Sequence, residues 1–254
     1  MAAYYELLDR LNDNAFHKKR EIVKQPKVED ILNSLSKEEL VKILVDLVRK
    51  DKALKSSIIL KYSKGNGAQE LERYKRLIEA IARRYKNRDD YIPLRATYPF
   101  ADEMETILEN ARNKDDIILS LEIATLLVSE LVKSYEYADD SDGRIGSLVT
   151  DTFLFIEEVI EDAEELDIDL KEKIFNLLLK ESSNEAFWGW DNYKIQFLRL
   201  CTYFSDVEVL RIKLIRKIEL IISQNSDSEF KRYYNEMLLQ IVFQIIEEYG
   251  TKEE

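Results

Sequence analysis

The chain has 254 residues, of which 45% are hydrophobic, enough to build a sizeable core in one large domain or two unequal ones. Six glycines and three prolines are few for a protein built from sheets and tight hairpins, so the composition favours long helices. The net charge is −12, and the single cysteine excludes an internal disulfide framework. The sequence contains neither an apolar run long enough to span a bilayer nor a secretory signal, which predicts a cytoplasmic protein outside the membrane.

Helical periodicity starts with a capping box. Ser36 can accept a hydrogen bond from the amide of Glu39, whose carboxylate can reach back to the Ser36 amide. An apolar face follows at Leu40, Ile43, Leu44 and Leu47. A shorter helix precedes the break KGNG at 64–67, which is the best domain boundary in the chain. We therefore predict a small helical part over 1–64 and a second part over 68–254, or one continuous domain.

The helix predicted over 68–87 has an apolar face and a basic face. The apolar positions, spaced three and four apart, are Leu71, Tyr74, Ile78, Ile81 and Tyr85. The basic positions are Arg73, Arg76, Arg83, Arg84 and Arg88. A second basic run lies near the start of the chain, at Lys18, Lys19 and Arg20. Either set could contact phosphates, although such residues also occur on ordinary solvated helix surfaces.

The charge is unevenly distributed along the chain. Residues 1–100 carry 22 Lys and Arg against 15 Asp and Glu, a net of +7, whereas residues 101–254 carry 16 against 35, a net of −19. The first part could face an acidic partner that the second part would repel. The simpler interpretation of this uneven charge is that the two parts attract each other, or that the charged side chains only lie on solvated surfaces.

Further helices are predicted along the rest of the chain. Pro93 and Pro99 are expected to interrupt it before a helix at 100–113. Later helices are predicted at 115–137, 145–165, 169–180, 192–203, 207–223 and 228–249. No segment predicts a strand, and the connections are short. The pattern predicts an all-α fold, an irregular right-handed α-α superhelix built as a solenoid-like stack of antiparallel helix pairs.

The corner at 138–143, with the sequence ADDSDG, has the composition of a calcium loop. An EF-hand with Gly143 at its sixth position would need oxygen ligands at Ala138 and Val149, so that motif is excluded. We expect a helix corner instead, with Gly143 in an unusual dihedral and one carboxylate capping the next helix. The alternative is a metal or catalytic site at Asp139, Asp140 and Asp142.

Both tryptophans lie in the segment 187–193, FWGWDNY. Trp188 and Trp190 could form an aromatic surface for a ligand or a hot spot for a protein. We favour the alternative, in which the aromatic side chains pin one helical layer onto the next and Asp191 caps the following helix.

Patterns of known enzymes are missing. The one histidine, His17, lies in a basic run without a nucleophile motif, and no glycine-rich phosphate loop occurs. Zinc would need more cysteine and histidine ligands than the chain offers. We therefore expect no catalytic residue and no cofactor, and Cys201 to be a buried structural thiol.

Three segments occur in a fixed order: ILNSLSKEELVKIL at 31–44, DDSDG at 139–143 with its following helix, and WGWD at 188–191. Their order and spacing resemble the helical region that follows the zinc finger in bacterial SWIM zinc-finger proteins. The resemblance spans residues 28–203 and implies a helical superhelix with a scaffold or interaction role. The finger itself is a Cys-x-Cys…Cys-x-His ligand set, which this chain lacks, so zinc binding is not implied.

The leading functional hypothesis is a non-catalytic protein–protein interaction or scaffold module that holds another protein in a helical groove. The alternative is an accessory nucleic-acid-binding protein that uses the basic N-terminal faces. A metal-dependent site or enzyme at the ADDSDG corner is the third hypothesis.

Overall fold

The computed structural model describes Glu6 and residues 27–63, 66–162, 167–225 and 229–250. In these residues the fold is all-α, as predicted, and no strand occurs. The α-helices are α1 (Val28–Ser34), α2 (Lys37–Lys50), α3 (Lys52–Tyr62), α4 (Gly67–Tyr85), α5 (Leu94–Arg112), α6 (Ile117–Ser134), α7 (Arg144–Glu161), α8 (Ile168–Glu181), α9 (Asp191–Cys201), α10 (Glu208–Gln224) and α11 (Glu229–Tyr249). Short 3-10 helices lie at Glu185–Phe187 and Thr202–Phe204.

The chain divides into two compact units, residues 1–47 and 48–254. The break predicted at 64–67 therefore lies between α3 and α4, inside the larger unit. The reason is that α3 packs against α4, with Ala53 of α3 only 3% exposed. In the smaller unit the predicted capping box is confirmed, since the Ser36 amide donates to Glu39 Oε2 at 2.9 Å and the Glu39 amide donates to Ser36 Oγ at 3.2 Å.

Polar side chains fix where several helices begin. Asp51 accepts from the amides of Ala53 and Leu54 at the start of α3. The same role is played by Asn66 before α4, Asp116 before α6 and Asp167 before α8. Each cap satisfies amides that a helix leaves without an internal partner, which explains why the sequence predicts these starts within a few residues.

In the larger unit most helices pack against the next in the chain, and α4, α5, α6, α8 and α9 also pack against the next but one. This succession is consistent with a stack of helix pairs, and the right-handed superhelix stays a prediction. The core includes six phenylalanines that are at most 2% exposed: Phe100, Phe153, Phe175, Phe187, Phe197 and Phe204. Across the described residues, no helix is long and apolar enough to cross a membrane.

The prediction that Pro99 interrupts the chain was wrong. Pro93 precedes α5, but Pro99 lies within it. Proline removes one backbone donor and normally kinks a helix. Here the face of α5 that carries Phe100 and Met104 is fully buried, and this packing keeps the segment helical despite the lost hydrogen bond.

Candidate functional site

The aromatic segment between α8 and α9 divides into buried and exposed parts. Phe187 is fully buried, and Trp190, although 38% exposed, has its ring 4.9 Å from that of Tyr135, the residue that follows α6. These two aromatic side chains pin neighbouring helices together, as the packing interpretation predicted. Trp188 does not, because 85% of it is exposed to solvent. Gly189, with a φ of 82°, lets the chain turn sharply between the two indoles.

A groove of about 670 Å³ opens beside Trp188. One wall is formed by the end of α8, the following 3-10 helix and α9, and the other by α10 and α11. Its charged residues are Glu185, Asp191, Lys194, Lys217 and Lys231. The groove thus combines an exposed indole with three ammonium groups and two carboxylates.

Asp191 organises the charges of this groove. Its Oδ1 lies 2.9 Å from Lys194 Nζ, and its Oδ2 lies 3.4 Å from Lys231 Nζ. The prediction that Asp191 caps the next helix was wrong, because Asp191 is itself the first residue of α9 and its carboxylate pairs with lysines. Burial, followed by the negative charge of Asp191, raises the pKa of Tyr234 to about 12, which keeps this groove residue neutral.

The charges of the groove do not cancel. One carboxylate is shared between two lysines, and Lys217 forms no ion pair within the described part of the chain. Glu185, on the same wall as Asp191, is exposed. Three positive charges against two negative ones give the groove a net charge of +1 in a protein whose overall charge is −12. Because it is locally positive, the groove favours an acidic group in a partner.

The ADDSDG corner is the capped helix corner predicted from the sequence. Asp140 Oδ1 accepts from the Ile145 amide at 2.7 Å and Oδ2 from the Gly146 amide at 2.9 Å. Gly143 has a φ of 71°, in the left-handed region. Asp139 turns toward Ser141, whose side-chain and backbone hydrogen bonds lower the pKa of the Asp139 carboxyl. Asp142 is exposed.

Main-chain hydrogen bonds also hold this corner in place. The Ile92 amide donates to Tyr137 O at 2.7 Å and the Asp139 amide to Ile92 O at 2.9 Å, which holds the corner against the segment before α5. Among the residues that the structure describes, no group of three Asp, Glu, His or Cys side chains converges to hold a metal ion. The corner therefore positions α7.

The arginines of α4 have different environments. Arg73 donates to Ser63 O at 2.8 Å, and Arg84 pairs with Asp51 and Glu103 at 2.6 and 2.5 Å. Arg76 and Arg83 extend into solvent, each paired with a glutamate one turn earlier on the same helix. Arg88 is exposed beyond the helix end. The predicted sites Lys18, Lys19 and Arg20, and also His17, lie outside the described residues.

Another cleft, of about 750 Å³, lies between α3, α4 and α5. Its main charged groups neutralise each other, because Lys114 pairs with Glu70 and Arg84 pairs with Glu103. Tyr74, predicted to be core, lines this cleft and is 2% exposed. This cleft therefore offers a ligand fewer charged side chains outside ion pairs than the Trp188 groove does.

Cys201 is fully buried, as predicted, and burial raises the pKa of its thiol. A thiol in this state is neither a nucleophile nor a metal ligand.

Sequence reasoning missed Lys194, Lys217, Lys231 and Tyr234 as groove residues. A groove formed by α9, α10 and α11 depends on how those helices pack, and lysines are too common on helix surfaces to single out. The exposed Trp188 was the only local signal.

Comparison with protein-family models, with curated protein sequences and with solved structures found no match.

Proposed function

We propose that the protein is a non-catalytic interaction module that binds a segment of another protein in the Trp188 groove. The observation that carries the proposal is the exposure of Trp188, 85% in solvent at the rim of a groove of about 670 Å³. Tryptophan is highly buried in most proteins and is enriched among residues that dominate binding energies. An indole left in water costs free energy that a partner would recover on binding.

The groove chemistry defines the partner segment. An apolar or aromatic side chain would stack on Trp188, and a carboxylate would face Lys217 and the pair Lys194 and Lys231. Because Asp191 holds both of the latter ammonium groups, the partner carboxylate would find them already oriented. The segment is therefore acidic with an apolar anchor. A scaffold role of this kind agrees with what the resemblance to SWIM-associated helical regions implies.

The test is a selection from a random linear peptide library on the intact protein, followed by calorimetric titration of the enriched peptides. We expect peptides that carry an acidic residue close to an aromatic or large apolar one. Trp188→Ala should weaken their binding by about 30-fold, the value expected for loss of a hot-spot side chain. Lys217→Glu should also weaken it, because the carboxylate would then meet a like charge.

Phe243→Ala is the matched control, since Phe243 is a similarly exposed aromatic residue, 68% in solvent, that does not line the groove. It should leave the peptide affinity unchanged. The proposal is wrong if no peptide is enriched, or if enriched peptides bind the Trp188→Ala and wild-type proteins equally well.

A further inference from the structure

The positive charge of the chain is concentrated in the segment that contains α3 and α4. Residues 48–88 carry thirteen Lys and Arg against four Asp and Glu, a net of +9. Residues 89–254 carry 17 against 37, a net of −20. The asymmetry visible in the sequence is therefore a property of one helical pair of the larger unit, and not of the whole N-terminal part.

A groove of about 700 Å³ runs between these two helices. Six cationic residues line it: Lys50, Lys52, Lys55, Arg76, Arg83 and Arg84. Of the residues that the structure describes, Asp51 and Glu79 are the acidic ones in its lining. The groove thus has a net charge of +4 and, unlike the Trp188 groove with which it shares no lining residue, it is dominated by cations.

Five of the six cations can turn to a ligand. Arg76 and Arg83 have side chains 72% and 68% exposed, and their pairs with Glu72 and Glu79 are solvated pairs within one helix. Such solvated pairs contribute little to stability and exchange readily for other partners. Lys50, Lys52 and Lys55 form no ion pair with any residue that the structure describes. Arg84 is the exception, because ion pairs with Asp51 and Glu103 hold its guanidinium in place.

The lining also indicates what kind of anion fits. Among the described residues that line the groove, Ile59, 41% exposed, is the one exposed large hydrophobic side chain, and none is aromatic. A protein partner would need an apolar interface core, and stacked bases would need an aromatic platform. A row of cations without either feature suits a polymer that presents repeated phosphates. Arg76 and Arg83 lie seven residues apart, about 10 Å along α4, so they would contact separate phosphates.

We propose that the groove between α3 and α4 binds the sugar–phosphate backbone of nucleic acid without reading its sequence. Lys50, Lys52, Lys55, Arg76 and Arg83 contact the phosphates, and Arg84 holds α3 and α4 in place. The proposed site contains fewer arginines than the face predicted from the sequence. Arg73 is left out because it donates a hydrogen bond to the Ser63 carbonyl, and Arg84 because it pairs with Asp51.

The experiment is filter binding of labelled duplex and single-stranded DNA and RNA to the intact protein at about 50 and about 200 mM salt. Five phosphate contacts predict a log–log salt slope of about −4.5 on duplex DNA, and thus an affinity that falls by a factor of about 500 over this range. The triple variant Lys55→Gln, Arg76→Gln, Arg83→Gln should bind at least about tenfold more weakly at the lower salt, with a slope near −2.

The matched control is Lys173→Gln, Arg216→Gln, Arg232→Gln, which removes the same charge from exposed positions outside the groove. It should bind as the wild type does, and circular dichroism should show that both triple variants are folded. Equal losses in the two triple variants would mean that only overall charge matters and would overturn the proposal. It would also be overturned by no binding at the lower salt, or by polyglutamate binding more tightly than nucleic acid.

Discussion

Arg84 Nη2 lies 2.6 Å from Asp51 Oδ1, so a side chain in the last turn of α4 contacts the residue that caps α3. The other branch of the guanidinium contacts Glu103 on α5. Partial burial of Asp51 opposes its ionisation, but the hydrogen bonds from Leu54 and from Arg84 prevail and lower the pKa of its carboxyl. One arginine therefore connects three consecutive helices.

Replacement of Arg84 by Gln should lower the free energy of unfolding by about 1–3 kcal/mol, because two partly shielded carboxylates lose their counter-ion. Arg83→Gln is the control next to it, and should cost less than about 0.5 kcal/mol because its pair with Glu79 is solvated. Urea denaturation of both variants is the measurement. Equal stabilities would show that the Arg84 contacts contribute nothing.

Asp140→Ala should destabilise the protein by about 1–2 kcal/mol, since it removes the acceptor of two amides at the start of α7. Asp142→Ala, two residues on at an exposed position, should change the stability by less than about 0.5 kcal/mol. Thermal denaturation of the two variants, monitored by circular dichroism, measures this difference in stability. A larger effect at Asp142 would contradict the assignment of the corner as a cap.

The two tryptophans should differ in their contribution to stability. Trp190→Ala removes a ring packed on Tyr135 and Tyr193 and should cost about 2–3 kcal/mol. Trp188→Ala should cost less than about 0.5 kcal/mol, because its side chain meets mostly solvent. Chemical denaturation checks both. A strongly destabilised Trp188 variant would mean that this residue supports the fold.

Alkaline pH should unfold the protein through its tyrosines. Burial, together with the hydrogen bond to Glu103, raises the pKa of Tyr85 to about 12. Burial also raises the pKa of Tyr135, Tyr137 and Tyr203. Because these folded-state values exceed the unfolded value near 10, their contribution to stability is complete below pH 10 and is lost as the pH rises through 12.

Parallel measurements of tyrosinate absorbance and circular dichroism over pH 9–13 test this expectation. The absorbance of the four tyrosines with raised pKa should appear above pH 10, together with the loss of the helical signal. A single wave near pH 10 without unfolding would contradict it.

Cys201 should be inert in the native protein. Its thiol is fully buried and burial raises its pKa, so almost no thiolate is present or accessible at neutral pH. Alkylation with iodoacetamide, followed by mass spectrometry, should label the chain in urea and not in buffer. Rapid labelling of the folded protein would show that α9 opens readily.

Features set by neighbouring residues were predictable from the sequence. The Ser36–Glu39 box and the Asp140 corner each depend on side chains within six positions of the amides they satisfy, so their patterns are visible in the sequence. Most helix ends fall within a few residues of the predicted ones for the same reason. The all-α class followed from the periodicity of apolar residues.

Features that join distant segments were not predictable. Lys231 lies forty positions from Asp191, and Arg84 thirty-three from Asp51, and no local pattern marks either pair. The helical environment of Pro99 is likewise decided by the packing of α5 and not by its own propensity. Both grooves depend on such contacts, so only some of the residues that line each could be named in advance.

The positions of the tryptophans make intrinsic fluorescence a probe of the groove. Both indoles of the chain lie within three residues, one in water and the other against Tyr135. Ultraviolet emission excited in tryptophan therefore comes from a single neighbourhood, the rim of the groove. A soluble quencher would extinguish the Trp188 component and spare much of the Trp190 component. A partner segment seated in the groove would shield Trp188 from the quencher and shift its emission to the blue, so occupancy can be followed in unlabelled protein.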